Sequence, residues 1–122
     1  MNRNDLETRL IEFSVAIINL SRKMKKSYEA RHLSSQLIRS GTSVSLNYGE
    51  AQSGESKRDF IHKLKIILKE LRESFICLKI IEKTQLCNEL KALNQILKEN
   101  NELISIMFKS IKTASKNQLS SK

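Results

Sequence analysis

The stretch SKRDFIHKLKIILKELRESFICLKIIEK, residues 56–83, decides the fold. Phe60, Leu64, Ile67, Leu71, Ser74, Leu78 and Ile81 recur at alternating spacings of four and three, the period of one face of a helix. Ile61, Leu68 and Phe75 run beside that seam as a second stripe, and Ile66, Glu73 and Ile80 form a partly apolar third. Ser56 followed by Asp59 is a capping-box-like start, with Asp in place of the usual Glu. One neighbour cannot cover a helix this broadly apolar, so it is central to a bundle or part of an interface between copies. Leaving both stripes in water would create a larger patch than soluble monomers tolerate. Ile61, Leu68 and Phe75 are therefore the expected oligomer interface.

Outward from this helix the same period continues. Upstream, Leu6, Leu10, Phe13, Ile17, Leu20 and Met24 predict a helix over about 4–26, capped by Asn4 or Asp5 and ending in Arg22, Lys23, Lys25 and Lys26, where the helix dipole favours cations. Between the two, Leu33, Leu37, Val44, Tyr48 and Ala51 mark a helix over about 28–52, interleaved with small residues that allow close approach of a neighbour. Ser53-Gly54-Glu55 reads as a tight turn. Downstream, Leu90, Leu93, Leu97, Asn100, Ile104, Met107 and Ile111 give a helix over about 88–115, with Asn100 a register-fixing polar residue on the seam. The third helix spans about 56–83, and 118–122 is a polar tail. Short connections make sequential helices antiparallel, so the expected fold is all-α, a left-handed up-down-up-down four-helix bundle in one domain over 1–117.

Composition agrees. The chain of 122 residues has no proline and three glycines, which argues against any turn-rich β fold. The N-terminus is charged and lacks an apolar run of the signal-peptide kind, and no segment reaches membrane-spanning length. Cys77 and Cys87 form no CxxC motif and read as reduced thiols of a cytoplasmic protein. Lys and Arg number 22 against 13 acids, a net charge of +9. Such an excess favours polyanionic partners, although a solubilising surface would carry it equally well.

Two motif-bearing stretches go beyond pattern. Ser40-Gly-Thr-Ser-Val44, Asn47-Tyr-Gly-Glu-Ala51, Phe60-Ile-His-Lys-Leu-Lys-Ile66 and Lys69-Glu-Leu-Arg-Glu73 resemble the motifs of the bacterial four-helix bundle family first noticed in intervening sequences of 23S ribosomal RNA genes. The middle third matches closely, and the flanking helices agree in length and pattern. Gly49 stands where that family often has Arg, and Cys77 where an aromatic is common. The family is similar in fold to the accessory protein of diversity-generating retroelements, a basic pentameric bundle that binds nucleic acid and a reverse transcriptase. The resemblance implies a homo-oligomeric ring, a pentamer, with nucleic acid as its partner, RNA before DNA, and room for a protein partner.

No catalytic constellation is visible. His32 and His62 lack a second ligand at metal spacing, and no P-loop, GxSxG, HExxH or GxGxxG occurs. The reading is non-enzymatic, without cofactor, metal or membrane. If the second and third helices fold back at residues 53–55, Arg39 falls opposite Glu70, and Asn47 opposite His62 and Lys63. Arg39, Asn47, Glu50, Lys63, Glu70 and Glu73 then form a polar network that sets the pairing of the two helices. Arg58, Lys65, Arg72 and Lys79 repeat by sevens on the third helix, with Lys69 alongside. With Arg22, Lys23, Lys25 and Lys26 they are the expected nucleic-acid contacts, made to phosphates and hence salt-sensitive. Two tyrosines are too few to indicate base stacking. The alternative is a protein-interaction scaffold with no nucleic-acid role.

Overall fold

The computed structural model describes residues 1–53 and 56–120, with 118–120 by their backbone alone. It contains four helices, α1 (Arg3–Ser21), α2 (Tyr28–Gln52), α3 (Lys57–Thr84) and α4 (Leu90–Ser120). Of the expected turn at residues 53–55, Gly54 and Glu55 lie outside the described residues. The protein is an all-α four-helix bundle in which each helix packs against the next and α1 returns to α4.

Local chemistry sets the helix starts. Asn2, rather than Asn4 or Asp5, caps α1: its side chain accepts from the Asp5 N–H at 2.9 Å, and Asp5 accepts in turn from the Asn2 N–H. Ser27 accepts from the Ala30 N–H at 3.2 Å, and Ser56 from the Asp59 N–H at 3.1 Å. At the end of α3, Gln85 adopts the left-handed conformation with φ 57, and the Leu86 N–H donates to the Ile81 carbonyl.

The end of α1 differs from expectation. The helix stops at Ser21 instead of continuing to Lys26. Ser21 Oγ donates to the Ile18 carbonyl at 2.6 Å, and the Lys25 N–H turns to the Leu86 carbonyl at 2.9 Å. Met24 pairs with Cys87 in an isolated antiparallel bridge, and both side chains are buried. Met24 thus closes the end of the core from a connecting strand of chain, which continuation of the helix would have prevented. At the other terminus α4 runs past the expected end near residue 115 to Ser120, and neither Gly nor Pro interrupts the helix. The backbone of 118–120 of the expected polar tail is therefore helical, while 121–122 lie outside the described residues.

The core is built largely from the periodic seams, with Phe13, Leu10, Ile17, Leu37, Leu64, Leu71, Leu78 and Leu93 almost wholly buried. On α4, however, Leu103 and Ile96 join it while Leu90 of the expected seam is exposed. α3 is its centre, packed against α2 on one flank and α4 on the other, while α1 meets α4 across the thinnest interface. This overturns the expected oligomer surface. Ile61 and Leu68 are buried within the chain at 6% and 9% exposure, and Phe75 packs partly buried against the core. The second stripe is thus largely covered within the chain, and the breadth of α3 reflects its packing against both α2 and α4. Asn100 is fully buried, donating through Nδ2 to the Leu71 carbonyl at 2.9 Å.

The small residues of α2 allow α1 to approach closely. Ser14 Oγ donates to the Gly41 carbonyl at 2.7 Å, and a Cβ on Gly41 would lie 2.9 Å from both Cγ1 and Cγ2 of Ile17. Ile17 is buried and β-branched, so it has little freedom to move aside. Gly49 has open space around its Cβ position. Gly41→Ala therefore costs about 1–3 kcal/mol despite Ala's better helix propensity, whereas Gly49→Ala stabilises by about 0.5–1 kcal/mol. Urea unfolding followed by circular dichroism distinguishes the two signs.

Candidate nucleic-acid interface

Ion pairs stitch the long edges of the bundle. Arg39 Nη1 lies 3.2 Å from Glu70 Oε2, and its Nη2 meets Glu73 Oε2. Lys63 Nζ donates to Glu50 Oε2 at 2.9 Å. Across the α1–α4 edge, Arg9 grips Glu99 through Nε and Nη2 at 2.8 and 2.6 Å. No hydrogen bond joins Asn47 to His62 or Lys63 among the described residues. Its Nδ2 donates back along α2 to the Ser43 carbonyl and hydroxyl at 2.9 and 2.8 Å, which a short amide reaches one turn away. Beneath the ion pairs, Ser40 and Ser74 hydroxyls meet at 2.8 Å in the α2–α3 interface, a contact that the apolar seams do not announce because both residues are small and polar.

The cations expected to touch nucleic acid divide into three sets. Lys65, Lys69 and Arg72 are exposed on the outer face of α3 with no ion pair among the described residues. Lys79 departs from that stripe: its ammonium donates to Glu82 at 2.9 Å, so much of its charge is neutralised locally. Arg22, Lys23, Lys25 and Lys26 occupy the connection between α1 and α2, not the last turn of a helix.

That connection turns a linear cluster into a shaped one. Arg22, Lys25 and Lys26 meet Arg31 of α2 around a groove of about 440 Å³ with Ser34 and Ser35 on its wall. Met24, Ala30 and Ile38 supply its apolar lining, and no acidic side chain lines it. Glu29, the acid nearest in sequence, is not part of the lining. None of the four cations has a carboxylate in ion-pair range among the described residues, in contrast to Arg9, Arg39, Lys63 and Lys79. Lys23 diverges and lines a separate cavity of about 380 Å³ between α1 and α4, alongside Glu12 and Glu99. The sequence gives no sign of Arg31's place here, because a chain reversal and a helix start separate it from Lys26.

Uncompensated cations around a concave surface concentrate a positive field, and Arg, Lys and Ser are the side chains that contact phosphate oxygens. Reactive groups do not converge in the same way. Among the described residues no three His, Cys, Asp or Glu side chains gather to hold a metal ion. His62 is exposed, and His32 lies against Tyr28. Burial pushes the Cys77 thiol up, away from the nucleophilic thiolate, and Sγ donates to the Leu33 carbonyl. No helix of the described residues is long and apolar enough to cross a membrane.

Fold and surface together define a four-helix bundle with a cationic groove at one end. The chain belongs to the 23S rRNA-intervening sequence protein family, whose profile matches residues 4–109 and so reaches well beyond the middle-third motifs. It is also similar to a crystal structure from Bacteroides thetaiotaomicron, described as a protein of unknown function from the S23 ribosomal protein family. The two share 31% identity with a TM-score of 0.82, over 92% of this chain and 99% of that one. No curated protein matches the chain.

The α2–α3 ion pair is unequal: the Glu70 side chain is 9% exposed, that of Arg39 51%. Removing the guanidinium leaves a buried carboxylate without its cation, whereas removing Glu70 leaves an arginine that still reaches Glu73 and water. Arg39→Ala is expected to cost about 1–3 kcal/mol and Glu70→Ala less. Chemical denaturation of both single variants and of the double variant gives the order and the coupling.

Proposed function

We propose that this protein is a non-enzymatic, homo-oligomeric bundle that binds nucleic acid, structured RNA above all, through phosphate contacts. The observation that carries this reading is the groove lined by Arg22, Lys25, Lys26 and Arg31, from which carboxylates are absent. Lys65, Lys69 and Arg72 on α3 offer a second line of contact. The net charge of +9 and the family's association with ribosomal RNA genes, carried in its description, support the same partner. Phosphate contacts of this kind are weakly sequence-specific.

Assembly of copies belongs to the proposal, but on different residues from Ile61 and Leu68. Ile76 and Ile80 are exposed one turn apart on α3, as are Ile11 and Val15 on α1. Aspartate at either pair is expected to lower the sedimentation coefficient without unfolding the chain. A wild-type monomer at every concentration in analytical ultracentrifugation overturns assembly.

Joint replacement of Lys25, Lys26 and Arg31 by Glu is expected to weaken binding to unrelated RNAs alike. The slope of log affinity against log salt should flatten by about two to three, one increment for each phosphate that is no longer neutralised. Unchanged affinity and slope would move the binding surface to Lys65, Lys69 and Arg72. Absence of binding to RNA and DNA at low salt would favour a protein-interaction scaffold.

A further inference from the structure

Tyr28 opens α2 between the groove-lining Lys26 and Ala30 in sequence and is 73% exposed, more than any other large apolar side chain described. His32, one turn on and also exposed, stands next to it: the ring centroids are 6.3 Å apart and the planes differ by 16°. This offset, near-parallel pair presents flat π surface to solvent. Neither ring contributes to the core, and Tyr48, the other tyrosine, is buried. Arg31 of the groove lies between Tyr28 and His32 in sequence, and Lys26 two residues before Tyr28. Neither ring lines the groove, but Tyr28 and Arg31 are three residues apart on one helix and so are surface neighbours.

We propose that Tyr28 and His32 form a stacking platform for an unpaired nucleobase whose own strand enters the groove with its phosphates. The inference rests on the nucleic-acid reading of that groove. It narrows the ligand from phosphate backbone in general to RNA with exposed bases, as in a loop or bulge. Proteins read such unpaired bases by stacking them on aromatic or imidazole rings, and the stacking tolerates any base because each has a π face. The count of two tyrosines argued against stacking, but one solvent-exposed tyrosine paired with a histidine suffices for a single base.

The test compares a labelled RNA hairpin carrying an unpaired uridine loop with a blunt RNA duplex of equal nucleotide number. Tyr28→Ala with His32→Ala is expected to weaken hairpin binding by about five- to hundred-fold and to leave duplex binding unchanged. Tyr28→Phe retains the ring and should retain hairpin binding. The chain has no tryptophan, so quenching of tyrosine fluorescence by the hairpin reports chiefly on Tyr28. If the double alanine variant binds both RNAs as the wild type does, while glutamates at Lys25, Lys26 and Arg31 abolish binding, the platform is overturned and the groove stands. If neither RNA binds at low salt, both readings fall. An alanine variant that alters sedimentation but not RNA binding makes the pair a protein contact and also overturns the platform.

Discussion

A helix with apolar residues over more than half its circumference has to be covered on two flanks, and α3 imposes that requirement on the rest of the chain. α2 takes one side and α4 the other, so Ile61 and Leu68, Ile67 and Leu71, and Leu78 and Ile81 are buried together. α1 then closes the open side of the bundle, held mainly by α2 and pinned to α4 by the Arg9–Glu99 fork. The apolar effect is non-directional, however, and would accept other alignments of four greasy helices.

Alignment comes from polar contacts that tolerate little slippage. Buried Asn100 reaches the Leu71 carbonyl from α4, Ser40 and Ser74 meet between α2 and α3, and Ser14 bonds to Gly41 between α1 and α2. A one-residue shift would strand each of these groups in an apolar interior, where an unpaired polar atom is costly. The small residues of α2 therefore do two things at once: they bring helices together and mark where along their lengths they meet.

Charge is partitioned in the same molecule. Cations along the bundle's edges, at Arg9, Arg39 and Lys63, have carboxylate partners on the adjoining helix. Cations at the α1–α2 end have none among the described residues, although they crowd around one groove. Crowded like charges repel, and the fold tolerates them because solvent and salt screen an exposed site. The groove thus gathers four cations without a carboxylate partner among the described residues, and Tyr28 and His32 pair their rings on the same first turns of α2.

The residues themselves determined the four helices and the all-α class. They also determined the opposition of Arg39 to Glu70, because helical period and a short connection leave little choice between antiparallel neighbours, while leaving α3 either central or part of an interface between copies. Asn100 on the seam was legible for the same reason. Tertiary structure alone decided which neighbour covers Ile61 and Leu68, since periodicity states that a face is apolar without saying what lies on it. It decided that α1 ends at Ser21, because the backbone at Met24 and the Lys25 N–H find partners at Cys87 and Leu86, far along the chain. The groove was illegible in the sequence for that same reason: a turn held by distant residues swings Arg22, Lys25 and Lys26 against Arg31, and local spacing carries no trace of that meeting.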